Sequence, residues 1–139
     1  MLRIDLITIV DTSVWINNDR AIDTPASLEL LAIKDRDPSS LACCDPVLME
    51  LLAGASSEFA RRRIKKMLHP LQWVSVRPEA DFEGAALIYT RCRANGSTVM
   101  NMMDCMIANI AIRTGARILA DDNDFESIAS VTDLQLHRP

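Results

Sequence analysis

The chain has 139 residues, of which 49% are apolar, enough for one hydrophobic core and too many for a disordered or fibrous polypeptide. Its net charge of −4, from 19 acidic and 15 basic residues, does not by itself mark a nucleic-acid binder. No apolar run reaches the length that crosses a bilayer, and Cys43, Cys44, Cys92 and Cys105 lack the CxxC spacing or paired histidines of a zinc site. A chain without a disulfide framework fits a reducing, cytoplasmic compartment.

Taken in order, Leu6-Ile7-Thr8-Ile9-Val10 is β-branched and nearly all apolar, as in a strand covered on both faces. The opening Met1–Val10 is therefore expected to be strand rather than a secretion signal. Asp11, Thr12 and Ser13 end the run with helix-capping side chains, and a helix is predicted from Pro25 to Lys34, with Leu28, Leu31 and Ala32 on one face. Leu41–Cys44 reads as a second strand. Asp45-Pro46 then combines a capping carboxylate with proline at the first helical position, starting a helix that stops near Gly54. Further helices are predicted from about Ser57 to Leu68 and after Pro78, the latter with Phe82, Ala85, Ala86, Tyr89 and Cys92 at helical spacing; Trp73–Val76 is a short strand between them. Asn101–Thr114 is the clearest helix, closed by Gly115. Arg117–Ala120 is a strand, followed by an acidic loop, a short helix and a last strand near Leu134–His137. This alternation predicts an α/β domain with a mostly parallel sheet of four to five strands between helices.

In such sheets, sites lie at the carboxyl ends of the strands. Asp11 falls at the end of the first strand, and Asp121, Asp122 and Asp124 at the end of a later one, so both groups face one edge. Glu50 interrupts an apolar helix face, where a carboxylate costs several kcal/mol unless paired or bound to a cation, or else it faces solvent. Asp104 reads locally as part of a capping box with Asn101. Four acidic points converging on one edge cannot all ionise without a cation, and hard oxygen ligands select Mg²⁺ or Mn²⁺. His69 and His137 lie outside motif contexts, which disfavours a serine–histidine mechanism, and the four isolated glycines form no phosphate loop.

Four segments carry a resemblance: Val10-Asp11-Thr12-Ser13-Val14-Trp15-Ile16, Pro46-Val47-Leu48-Met49-Glu50-Leu51-Leu52-Ala53-Gly54, Asp104-Cys105-Met106-Ile107-Ala108 and Leu119-Ala120-Asp121-Asp122-Asn123-Asp124-Phe125. In kind and order they resemble the motifs of PIN-domain ribonucleases of the VapC type, toxins of toxin–antitoxin pairs. The resemblance implies one PIN domain over residues 1–139, a Rossmann-like three-layer sandwich. It also implies Mg²⁺- or Mn²⁺-dependent RNA cleavage, a homodimer and a cognate antitoxin as partner, with no membrane association. Matched residue by residue, Asp11, Glu50 and Asp104 are the expected catalytic metal ligands, completed by Asp122 or Asp124. Thr12, Ser13, Asn101 and Asp121 are expected to orient them.

Arg91 and Arg93, or the block from Arg61 to Lys66, are candidates for positioning the RNA backbone, against a solvated helix face. The fourth motif departs from the Thr-Arg-Asp or Thr-Asn-Asp of many relatives, having Ala120-Asp121-Asp122. That departure leaves open a metal role for Asp121 itself, and it is the feature that favours one alternative, a PIN-like scaffold that has lost catalysis; a PIN nuclease acting on DNA or on structured RNA ends is a separate alternative.

Overall fold

The computed structural model describes residues 6–97 and 101–139; the opening Met1 to Asp5 lies outside the described residues. Five parallel strands form one sheet in the order β3-β2-β1-β4-β5: β1 (Thr8–Val10), β2 (Leu41–Cys44), β3 (Gln72–Val74), β4 (Arg117–Leu119) and β5 (Gln135–Leu136). Thr8 pairs with Leu41 on one side and with Arg117 on the other, so β1 is the central strand. Ile9, Val10, Leu41 to Cys44, Ile118 and Leu119 are all fully buried. Strands enclosed on both faces have no need of alternating polarity, which is why these segments read as continuous apolar runs.

The helices are α1 (Thr12–Asp19), α2 (Pro25–Arg36), α3 (Asp45–Ala53), α4 (Glu58–Leu68), α5 (Pro78–Ala94), α6 (Met102–Thr114) and α7 (Asp124–Val131), with a 3-10 turn at Pro38–Ser40. They flank the sheet in a three-layer α/β arrangement, as the sequence predicts. The clearest prediction, α6, has Asn101 as its N-terminal cap and closes on Gly115 at φ 74°, the left-handed conformation that glycine accepts without a Cβ penalty.

Three local expectations need correction. The stretch after Asp11 is a helix of its own, α1, capped by the Asp11 carboxylate. Asp45 does not cap α3; its two oxygens instead accept from Trp73 Nε1 (2.9 Å) and the Val76 N–H (2.7 Å), tying α3 to the end of β3. On α5 the inward face is Asp81, Ala85, Ile88 and Cys92, while Phe82 is 60% exposed.

A buried polar cluster joins α5 to α6. Asp81, fully buried, accepts from Arg113 Nε (2.9 Å), Arg113 Nη2 (2.8 Å), Asn109 Nδ2 (2.9 Å) and the Arg77 N–H (2.8 Å). Burial pushes its carboxyl upward, but Arg113, Arg77 and Asn109 together outweigh that and hold it below the ordinary range. Gly84 packs against the same cluster: a Cβ there would meet the Asn109 side chain at 2.2 Å. Gly84→Ala is therefore expected to push Asn109 off Asp81 and cost about 1–3 kcal/mol in chemical denaturation. Unchanged stability would show that the contact can relax freely.

Candidate active site

The acidic residues gather where β1 and β4 diverge, the point at which the strand order reverses and α/β sheets open a crevice. The Asp11 N–H donates to the Leu119 carbonyl (2.9 Å), extending the ladder one residue and fixing Asp11 between the two strands. Asp11 Oδ2 accepts from the Ser13 hydroxyl (2.6 Å) and the Ser13 N–H (3.1 Å). The residue is 3% exposed, and its Oδ1 is buried without a hydrogen-bond partner among the described residues. Burial raises the Asp11 carboxyl above the ordinary range; the Ser13 and Thr12 bonds oppose that and the Asp122 charge adds to it.

Glu50 projects from α3 and is held by the Thr12 hydroxyl, which donates to Oε1 at 2.9 Å. Desolvation raises its carboxyl, the Thr12 bond lowers it, and the charges of Asp11 and Asp122 raise it further. Glu50 is thus half-buried beside the site rather than on a solvated face.

Asp104 is not the return half of a capping box. Asn101 Oδ1 accepts from the Met103 N–H (2.9 Å), whereas Asp104 gives its N–H to the Asn101 carbonyl (3.1 Å) and turns its carboxyl toward the β4–α7 turn. One carboxylate oxygen from each of Asp104, Asp122 and Asp124 lies within 4.8 Å of the others. Asp104 is 3% exposed, with Oδ2 buried and lacking a partner among the described residues. Burial above all, then the hydrogen bond and charge of Asp122, push its carboxyl up to about 9. Asp124 is raised by burial and by Asp122, less its hydrogen bond with Asp104, and its N–H donates to Asp122 Oδ1 at 2.9 Å.

Of the three acidic candidates in the fourth motif, the geometry brings Asp122 and Asp124 to Asp104 and sends Asp121 elsewhere. Asp121 Oδ2 accepts from Asn17 Nδ2 (2.9 Å) and the Thr24 hydroxyl (2.8 Å). Neither donor was visible as a site residue in the sequence; Thr24 ahead of Pro25 signals a helix cap, and nothing marks Asn17. Arg91 and Arg93 are exposed on the last turn of α5, with the Arg93 guanidinium 5.6 Å from the Tyr89 ring centre. Neither has an ion-pair partner among the described residues.

Beside Glu50 a groove of about 280 Å³ runs between α1, α3 and α4, lined by Trp15, Ile16, Leu51, Ile64 and Met67, with Asp19, Arg20 and Arg63 among its charged groups. An ion pair between Asp19 and Arg63 (3.0 Å) joins α1 to α4.

Buried oxygens that lack donors, within a set of carboxylates, suit a divalent cation, and a parallel α/β sheet presents them at its switch point. The chain belongs to the PIN domain family, whose match runs over residues 8–131. It is 37% identical over 127 residues to Ribonuclease VapC11 of Mycobacterium tuberculosis and to VapC ribonuclease Mb1587 of Mycobacterium bovis, alignments that span 91% of this chain and 95% of each relative. Among solved structures, VapBC-1 from nontypeable Haemophilus influenzae matches with a TM-score of 0.73 at 17% identity, covering 96% of this chain and 98% of that one. VapBC2 from Rickettsia felis, bound to a promoter DNA fragment, matches with a TM-score of 0.72 at 17% identity, covering 95% and 98%. At that identity the structural matches speak to the fold.

Raised carboxyls have a consequence for stability. Burial and the neighbouring Asp122 hold the Asp104 carboxyl well above its unfolded range, so over the interval between the two the folded state keeps a proton that the unfolded chain has released. Its contribution is full below the unfolded value and is lost as pH rises through the folded one. The metal-free protein should therefore melt at progressively lower temperature from about pH 5 to about pH 8.5, and Asp104→Asn should flatten that slope and gain about 1–2 kcal/mol at the upper end. A wild-type melting temperature that rises over this range would contradict the assignment.

Proposed function

We propose that the chain is a divalent-cation-dependent endoribonuclease, built as a single PIN domain over residues 1–139 and acting as the toxin of a toxin–antitoxin pair. The observation that carries the reading is the pair of buried carboxylate oxygens, Asp11 Oδ1 and Asp104 Oδ2, that no protein donor satisfies among the described residues. A buried carboxylate oxygen in that condition is costly, and a cation offsets the cost. The VapC names of the relatives at 37% identity support ribonuclease chemistry.

Asp11, Asp104 and Asp122 would hold Mg²⁺ or Mn²⁺, with Asp124 and Glu50 completing the acidic ring. When bound, such an ion supplies charge stabilisation at a phosphodiester and a lowered pKa for a water molecule. The protein's own part is orientation. Ser13 fixes Asp11 through two hydrogen bonds, Thr12 fixes Glu50 through one, and Asn101 sets the first turn from which Asp104 projects. Glu50, with its raised carboxyl, stands where the groove meets the site and is placed to accept a proton from an attacking water. Arg91, Arg93 and the exposed cations of α4 would attract the RNA backbone toward a site that is itself negative.

The groove between α1, α3 and α4 suits an amphipathic segment of a cognate antitoxin: apolar walls for its anchors, and Glu50 at one end for a basic side chain. Solved neighbours of the same fold include VapBC-5 from Mycobacterium tuberculosis, a member of the VapBC family of toxin–antitoxin systems, and a toxin–antitoxin complex from Klebsiella pneumoniae, which supports such a partner. Leu28 and Leu31 on α2, 51% and 48% exposed, lie outside the lining of this groove. A homodimer in the cytoplasm completes the proposal; the four cysteines are free and buried, as a reducing compartment allows, and no helix among the described residues is long and apolar enough to cross a membrane.

The fourth motif gives no support to a catalytically inert scaffold, because Asp121 faces α1 and α2 and leaves Asp122 with Asp104. With Mn²⁺, wild-type protein should cut RNA in preference to single-stranded DNA. Asp11→Asn and Asp104→Asn should each lower cleavage by more than about a hundredfold, beyond what loss of a supporting residue gives. Cleavage that is equal in both variants and wild type would refute the site, and preferential cutting of DNA would refute the substrate.

A further inference from the structure

We propose that Asp121 is a positioning residue for the metal site: its carboxylate ties the β4–α7 turn to α1 and α2 and so fixes Asp122 and Asp11 relative to one another. The proposal rests on the nuclease reading above and deepens it. Only four residues, Ala120 to Asn123, separate β4 from α7, and Asp121 pins them at three points. Its Oδ2 accepts from Asn17 at 2.9 Å and Thr24 at 2.8 Å, and its N–H donates to the Ser13 hydroxyl at 3.0 Å.

The Ser13 bond carries the effect to Asp11. A serine hydroxyl has one proton to donate. With the Asp121 N–H occupying an acceptor position on Oγ, that proton is directed to Asp11 Oδ2, at 2.6 Å. Displacing Asp121 therefore removes the constraint that aims the shortest hydrogen bond to Asp11. The same displacement frees the next residue, Asp122, whose Oδ1 accepts from the Asp124 N–H at 2.9 Å and whose carboxylate lies with those of Asp104 and Asp124, one oxygen of each within 4.8 Å of the others.

The far anchor is firm. Thr24 caps α2, its hydroxyl oxygen accepting from the Ser27 N–H at 2.9 Å, so its proton is available for Asp121. Asn17 lies on α1, the helix that Asp11 itself caps. The loop is closed: Asp11, α1, Asn17, Asp121, Ser13 and back to Asp11. The role of Asp121 is to hold, not to ligate.

Both donors converge on one oxygen, which an asparagine side chain retains. The test compares D121A, D121N and D122N by Mn²⁺ titration calorimetry and by steady-state RNA cleavage. D121A should lose about 10–100-fold in Mn²⁺ affinity and in kcat with KM for RNA little changed, the range typical of groups that orient metal ligands. D121N should recover most of that loss, whereas D122N should not. If D121A lowers the melting temperature but binds Mn²⁺ as wild type does, Asp121 is merely structural and the proposal is overturned. If D121N is as impaired as D122N, Asp121 is itself a ligand and the proposal is equally overturned. Should D121A fail to fold, N17A reads the same quantity, with weakened Mn²⁺ binding in support and wild-type binding against. A wild-type protein without Mn²⁺ affinity removes the metal-nuclease reading itself, an outcome distinct from loss of the tether alone.

Discussion

The mutual repulsion of carboxylates held at the divergence of β1 and β4 is the constraint around which the rest of this molecule is arranged. Asp11 and Asp104 are each 3% exposed, in an environment where two negative charges cannot both persist unaided. The fold keeps them together with neutral donors instead of arginines or lysines: Ser13 on Asp11, Thr12 on Glu50, and Asn17 and Thr24 on Asp121. A fixed cation would have satisfied the carboxylates permanently. Uncharged hydroxyls and amides orient them and leave their charge to be neutralised by something that binds.

The scaffold makes that possible by being short and deeply enclosed. β1 and β4 are three residues each, flanked on both sides by β2 and β5, so no strand edge is open at the site. Each acidic residue is set by a rigid element: Asp11 by the last ladder bond to Leu119, Glu50 by α3, Asp104 by the first turn of α6, and Asp124 by the start of α7. Farther off, the Asp81–Arg113 cluster locks α5 against α6 and so steadies the helix that carries Asp104. There a buried carboxylate is paired with an arginine and held below the ordinary range. The buried aspartates thus illustrate opposite solutions, Asp81 closed by a protein cation and Asp11 and Asp104 left open.

Much of this was legible in the sequence because periodicity and capping report on local structure. Leu41–Cys44 and the Asn101–Gly115 helix needed only an apolar run and a pair of end signals. The acidic convergence followed from placing Asp11 and the Asp121–Asp124 cluster at the ends of parallel strands. What eluded the sequence was long-range pairing. Asp45 looks like a helix cap, yet its partners, Trp73 and Val76, are 28 and 31 residues away. Asp104 matches a capping box in spacing, but its deciding neighbour is Asp122. The metal role could not be assigned between Asp121 and Asp122 from sequence, because successive residues in a short loop can face opposite ways and only the tertiary fold says which way is which. The donors Asn17 and Thr24 lie 104 and 97 residues from it, beyond the reach of any local pattern.

The central claim is that the buried carboxyls form a cation site whose protons are displaced on binding. Calorimetric titration with Mn²⁺ near pH 7, repeated in buffers of different ionisation enthalpy, counts those protons directly. The account predicts binding with net proton release from the carboxyl cluster, in which burial holds Asp11, Glu50, Asp104 and Asp124 above the ordinary carboxylate range. Absence of binding, or a binding heat that does not depend on the buffer, would contradict it.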